Sequence, residues 1–143
     1  MLLAASACRD TKIVTNSYAS LDEARAAGAF SAGYLPEGLP SGAEDIREAH
    51  DPATSQSWVI FSFSPAQREA LLSLLDPAPV SLDGQTSDVP GRIEWWPALL
   101  RNTMDAERIR ATGLETYRSR VGDRYYAVNW SQGRAYVWMA AKR

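Results

Sequence analysis

The segment that most constrains the fold is QSWVIFSFS, residues 56–64. Its aromatic and β-branched side chains are typical of a β-strand. Successive side chains of a strand point to opposite faces of the sheet, so this run is apolar on both sides. A strand of that kind lies inside a sheet that is covered on each face. The sequence therefore predicts a central strand with a layer of chain above it and another below.

The segments around this strand predict an antiparallel sheet of about five strands. EDIREAH and the central strand flank the turn DPATS, which predicts a hairpin over residues 44–63. The C-terminal part predicts a three-stranded meander over residues 114–141, with strands near 114–119, 124–130 and 134–141. Ser131-Gln132-Gly133 forms the last hairpin loop, with glycine at its left-handed position.

Several helices accompany the predicted sheet. Ser64, Pro65 and Gln67 form the start signal of a helix, and the apolar stripe that follows extends it over residues 65–75. We expect this helix to pack on one face of the sheet. Ser20 and Glu23 predict a shorter helix before it, and two more short helices are expected near 97–102 and 105–111. The predicted fold class is α+β.

Two long segments lack the pattern of regular structure. GYLPEGLPSGAEDI, residues 33–46, contains two prolines and three glycines that exclude a helix or central strand. We interpret it as a strap packed on the sheet with Leu35 and Leu39 buried; the alternative is a mobile recognition arm. Residues 76–94 predict a long loop, and loops of this length in compact domains are usually functional or disordered.

Length and charge exclude some classes of protein. The chain has 143 residues, and we assign residues 9–143 to a single globular domain. A net charge of −2 argues against a nucleic-acid partner. The charge is uneven, since residues 1–91 hold 5 basic and 12 acidic side chains and residues 92–143 hold 10 and 5.

The single cysteine, Cys8, lies in the stretch LLAASACRD. Leu2 to Cys8 resembles the end of a bacterial lipoprotein signal peptide, in which apolar and small residues precede the lipidated cysteine. The resemblance implies that residues 1–8 are the remnant of such a signal and that a lipid on Cys8 anchors the chain to a membrane. It departs from the pattern at Ala5, where leucine is usual, and only seven residues precede Cys8. An incidental or a reactive thiol, and a cytoplasmic location, are the alternatives.

Few residues predict chemistry. Signatures of nucleotide, zinc and serine-hydrolase sites are absent from the sequence, so no catalytic residue, metal or cofactor is predicted. Four acidic residues surround His50, the one histidine: Glu44, Asp45, Glu48 and Asp51. They are compatible with a divalent cation, but we favour a solvated acidic edge that protects the sheet from edge pairing.

Trp95 and Trp96 give the clearest binding hypothesis. Exposed indoles stack on ligands, whereas an aromatic residue entering a helix after a long loop commonly anchors that helix in the core. We expect at least one of the two to be core. The candidate residues for binding a ligand or partner are Trp95, Trp96, Arg92 and Tyr34.

The stretch Gly33-Tyr34-Leu35-Pro36-Glu37-Gly38-Leu39-Pro40, with Ala43 to Ile46 and the aromatic strand after it, resembles a group of small uncharacterised bacterial proteins. Their pattern is (Trp/Tyr)-Leu-Pro-x-x-Leu-Pro-x-Ser-Ala-x-x-Ile, and Gly42 replaces its serine here. Many of these proteins carry lipoprotein signals, so the resemblance implies an envelope protein facing the periplasm or the exterior. The group has no assigned activity, and no catalytic residue is carried over.

Two function classes follow. The first is a non-enzymatic bacterial envelope domain, lipid-anchored, that binds a protein or a small ligand. The alternative is a small hydrolase-like enzyme that uses carboxylates and arginines near the 76–97 loop. Carboxylates converging on a ligand beside Trp95 would favour the enzyme, whereas an exposed apolar patch would favour the binding domain.

Overall fold

The computed structural model describes residues 12–140, and its main feature is a six-stranded antiparallel sheet. The strands are β1 Val14–Ser20, β2 Glu44–His50, β3 Ser57–Ser62, β6 Glu115–Arg118, β7 Arg124–Asn129 and β8 Arg134–Met139. Their order is β1-β2-β3-β8-β7-β6. A separate two-stranded ladder joins β4 Thr86–Ser87 to β5 Asn102–Thr103.

The helices are few and short. They are α1 Leu21–Ala26, α2 Arg68–Leu72 and α3 Ala106–Ala111, with 3-10 turns at Pro65–Gln67 and Ala98–Leu100. Ser20 begins α1 as expected, because its side chain accepts a hydrogen bond from the Glu23 amide. In the described part of the chain, no helix has the length and apolar character to cross a membrane.

The central strand lies where the sequence predicts it. β3 pairs with β2 on one side and with β8 on the other. Val59 and Phe61 pack in the first core, on one face, whereas Trp58 and Ile60 pack in the second core, on the opposite face. Burial of both faces is therefore confirmed, and it makes β3 the middle of the domain.

The C-terminal meander also forms as predicted. Gly133 in the last hairpin has φ of +65°, a left-handed conformation that glycine adopts without strain. Its carbonyl accepts a 2.8 Å hydrogen bond from the Phe63 amide, and an added Cβ would collide with the Phe63 backbone. This close approach ties the hairpin loop to the chain leaving β3.

The prediction of about five strands misses β1. VTNSYAS is short of apolar residues and its side chains are mostly exposed or half-buried, so its sequence shows little alternation. Pairing with β2, from Val14 opposite His50 to Ser20 opposite Glu44, holds it in the sheet. The consequence is that β2 is an internal strand, not an edge.

The predicted continuous helix over 65–75 is wrong in length. Gln67 caps its start, since the side-chain oxygen accepts a 3.1 Å hydrogen bond from the Ser64 amide. The α-helix ends at Leu72, and Leu75 instead forms a bridge with Ser119. Of the leucines on the predicted apolar stripe, Leu71 is buried in the first core, whereas Leu74 is only partly covered.

The strap is packed, and the mobile-arm alternative is wrong. Leu35 and Leu39 are 1% and 7% exposed and belong to the first core. Arg124 on β7 also reaches the strap, where Nη2 donates a 2.9 Å hydrogen bond to the Gly33 carbonyl. The strap therefore covers the sheet through apolar side chains and a backbone tie.

The long segment after α2 covers the other face. Leu82 and Ile93 are buried in the second core, together with Leu100, Met104 and Ile109 from the segment that follows. The predicted long loop thus forms much of the layer over the second core.

We predict that Leu39→Ala lowers the free energy of unfolding by about 2–5 kcal/mol, because it empties a buried site in the first core. Val121→Ala is the matched control: Val121 is 87% exposed, and a surface change of this kind stays within about 0.5 kcal/mol. Denaturant titrations measure both. A loss below about 1 kcal/mol for Leu39→Ala would restore the mobile-arm interpretation.

We also predict a fall in stability at high pH caused by Tyr126. Burial raises the pKa of Tyr126 to about 12, against a smaller opposing effect of Arg124. An unfolded tyrosine titrates near pH ~10, so its stabilising contribution is complete below that pH and is lost as the pH rises toward 12. The loss is about 3 kcal/mol by this linkage.

Tyr126→Phe removes this titration and is the control for it. Denaturant titrations across the same pH range should show a flatter profile for the variant than for the native chain. Equal slopes in the two proteins would contradict the assignment to Tyr126.

Candidate binding cleft

An open cleft of about 1270 Å³ lies at one end of the second-core face. Its floor is a row of side chains that crosses four strands. Trp58 on β3 is opposite Trp138 on β8, Trp138 is opposite Tyr125 on β7, and Tyr125 is opposite Arg118 on β6. Because paired residues of adjacent strands point to the same face, this register alone brings three aromatic rings side by side.

The aromatic rings of the floor pack against one another and against Trp96. The Tyr125 and Trp138 ring centroids are 5.8 Å apart, and Trp96 packs edge-on against Trp138 at the same distance. Trp58 and Trp138 are each 4% exposed, whereas Tyr125 is half-buried. Tyr125 is therefore the aromatic residue that offers the most surface to a ligand.

Arg118 closes one end of the row. Its guanidinium carbon lies 5.7 Å from the centre of the Tyr125 ring, and Nη2 is 3.2 Å from a carboxylate oxygen of Asp123. Both partners of this ion pair are well exposed, so it contributes little to stability. The Arg118 guanidinium and the Asp123 carboxylate are instead accessible at the mouth of the cleft.

The wall opposite the floor comes from the 84–88 segment. Two backbone hydrogen bonds hold it: the Gly84 amide donates to the Met104 carbonyl at 2.9 Å, and the Met104 amide donates to the Gln85 carbonyl at 2.8 Å. The wall presents mostly neutral amides and hydroxyls, with one carboxylate. Its residues are Gly84, Gln85, Thr86, Ser87 and Asp88, and Thr54 and Gln56 complete the rim.

The four predicted binding residues do not meet in this cleft. Trp96 is 2% exposed, so the expectation that at least one tryptophan is core is confirmed. Trp95 is half-buried with its ring centroid 6.2 Å from that of Trp96, and Arg92 is exposed. Tyr34 lies on the opposite face of the sheet, where its ring is stacked on that of His50 with the two ring centroids 3.5 Å apart.

Ligand binding by these four residues stays a prediction, and so does lipidation at Cys8, which lies outside the described residues. Sequence reasoning did single out the loop that supplies the wall, but it missed the floor. The alternation of side chains along each strand could have indicated the floor, because Trp58 and Trp138 lie on the same face once β3 and β8 are paired in this register.

The residues around His50 form a buried cluster and not a solvated edge. Glu48 is fully buried; one carboxylate oxygen is 2.6 Å from Nδ1 of His50, and the other accepts a 2.9 Å hydrogen bond from the Asn16 side chain. Burial and the nearby Glu48 charge together raise the pKa of Tyr18.

The expectation of a solvated acidic edge is wrong for Glu48 and Asp51, which are buried. β1 pairs with β2, so the strand that carries Glu48 is an internal strand of the sheet. The expectation holds for Glu44 and Asp45, which are exposed. Within residues 12–140, no group of three or more histidine, cysteine or acidic side chains is placed to hold a metal ion. The cluster is therefore a hydrogen-bonded part of the interior.

The first part of the chain is similar to a described protein family. A family model described as the YbbD head domain matches residues 12–62. This span runs from the residues before β1 to the end of β3, and it contains the whole of the strap. No curated protein and no solved structure matches the chain. Over about a third of its length, this chain is thus similar to the YbbD head domain.

Proposed function

We propose that this protein is a non-enzymatic binding domain of the bacterial envelope, anchored by a lipid on Cys8. The similarity of residues 12–62 to the YbbD head domain supports a small accessory domain. The lipoprotein-like stretch that ends at Cys8 supports the anchor. The cleft beneath the 84–88 segment is the proposed ligand site.

The observation that carries the binding proposal is the chemistry of the cleft. One side is the aromatic row, of which Tyr125 is the exposed ring, and the wall is lined chiefly by amides and hydroxyls. Ligand sites commonly combine an apolar surface with a few polar groups that fix orientation. A neutral ligand with one flat apolar face and many hydroxyl or amide groups fits this lining, and a short saccharide has that chemistry.

The position of His50 favours binding over hydrolysis. His50 is on the opposite face of the sheet, 5% exposed, with Nδ1 already held by Glu48. The carboxylates at the cleft are Asp88 and Asp123, and Asp123 pairs with Arg118. A hydrolase-like enzyme, the alternative, would have to work with these two carboxylates.

We predict that a neutral oligosaccharide, tested as the tetramer of N-acetylglucosamine, shifts amide resonances of residues 84–88, β7 and β8. Tyr125→Leu should weaken this binding by about tenfold, because it removes the exposed aromatic surface. Tyr18→Leu, the same change at a half-buried tyrosine of β1 that packs against the first core, should leave it unchanged. Thermal unfolding checks that both variants fold.

Three outcomes would contradict this proposal. The probe leaves all cleft resonances unmoved, or the shifts gather around Trp95, or the protein cleaves the tetramer. The last result would favour the hydrolase-like alternative.

We predict that Cys8 is lipidated when the gene, with its native upstream sequence, is expressed in a bacterial host. Metabolic labelling with an alkyne fatty acid should label the native protein and leave Cys8→Ser unlabelled. The variant should also leave the membrane fraction. A native protein without label, or a labelled Cys8→Ser variant, would contradict the anchor.

A further inference from the structure

A groove of about 390 Å³ lies between α3, the start of β6 and the chain that follows α2. Among the residues that the structure describes, it shares no lining residue with the aromatic cleft. Its volume is within the range of small-molecule sites, about 300–1,000 Å³. Its apolar lining comprises the buried Leu82, Ile109 and Leu114 and the more exposed Val80, Pro79 and Ala106.

Hydrogen bonds hold both walls of the groove. On one side, the Val80 amide donates to the Thr116 carbonyl at 2.8 Å, and the Thr116 hydroxyl donates to the Val80 carbonyl. On the other side, the Ala106 amide at the start of α3 donates a 3.0 Å hydrogen bond to the Asp83 carboxylate. The walls are thus held in place without a ligand, so little ordering is needed on binding.

The charged residues of the groove are not equally available. The Glu115 side chain points to the same face of β6 as that of Tyr117, which packs in the first core. Its carboxylate accepts hydrogen bonds from the Tyr117 hydroxyl and, at 3.2 Å, from Nε1 of Trp130. Arg110, in the last turn of α3, is exposed, and no residue in the 12–140 range forms a hydrogen bond or ion pair with its guanidinium. Glu107, on the same helix, lies outside the groove lining. The groove therefore presents one unpaired cation beside an apolar floor.

We propose that this groove binds an amphiphile with one aliphatic chain and one carboxylate, the chemistry of a free fatty acid. The chain lies on the apolar floor, and the carboxylate pairs with Arg110. A guanidinium can bind a carboxylate through two parallel hydrogen bonds. The hydroxyls of Ser81 and Thr116 already bond to the backbone, so a ligand rich in hydroxyl groups gains little here.

An NMR titration of the full chain with sodium octanoate tests the proposal. Octanoate should shift the amide resonances of residues 79–82, 106–110 and 114–116. Binding should tighten from butanoate to octanoate by up to about fourfold for each methylene that is buried. 1-Octanol, which has a similar chain and no charge, should bind about fivefold more weakly than octanoate.

Two arginine variants separate pairing at the groove from the general charge of the surface. Arg110→Gln should weaken octanoate binding by about fivefold and leave 1-octanol binding unchanged. Arg108→Gln removes the same charge from an exposed position of α3 outside the groove lining. It should leave the binding of both compounds unchanged. Circular dichroism confirms that each variant folds.

Four results would overturn the proposal. Octanoate leaves the groove resonances unmoved, 1-octanol binds as tightly as octanoate, or Arg108→Gln weakens octanoate binding as much as Arg110→Gln does. In the fourth, N-acetyl-leucine, which imitates the C-terminus of a peptide, binds the groove more tightly than octanoate. The partner is then a peptide and not a fatty acid.

Discussion

The pairing of β3 with β8 holds the two parts of this chain together. Residues 12–62 supply β1, β2 and β3, and the C-terminal part supplies β6, β7 and β8. Five residue pairs, from Trp58 opposite Trp138 to Ser62 opposite Arg134, join them into one sheet. Both strands carry apolar side chains on each face, so this contact starts two cores at once. Pairing between segments so far apart in the chain carries a loop-closure cost, and such non-local contacts slow folding.

The two faces of the sheet are covered differently, and this difference creates the cleft. The first core is covered largely by the strap and by segments next to it in sequence. The second core is covered by the 80–114 segment, which leaves Tyr125, beside the buried Trp58 and Trp138, partly open to the cleft. A rigid aromatic row beside a neutral polar wall is an arrangement suited to ligand contact, because little ordering is needed on binding.

The buried Glu48 carboxylate shows how tightly the residues of the 12–62 segment depend on one another. A buried charge is costly unless it is paired and hydrogen-bonded. Here β1 supplies Asn16, β2 supplies His50, and the strap supplies Tyr34 against the histidine ring. Without Asn16 or His50, the buried carboxylate would lose a hydrogen-bond partner. Without Tyr34, the histidine ring would lose the ring stacked on it. The cluster thus specifies how strap and strand fit together.

The sequence by itself determined the local structure wherever the residues of a single stretch were sufficient to specify it. The apolar run around Phe61 required burial on both faces, Gly133 required a left-handed turn, and the leucines of the strap required a covering layer. Tertiary structure decided the rest. β1 forms because β2 offers it backbone hydrogen bonds and Glu48 offers a partner for Asn16, although the β1 sequence itself shows little alternation. Leu75 leaves the helix to bridge Ser119. The floor of the cleft depends on strand register, which brings Trp58 beside Trp138. The two residues are far apart in the chain, so a pattern within one stretch of sequence does not predict their contact.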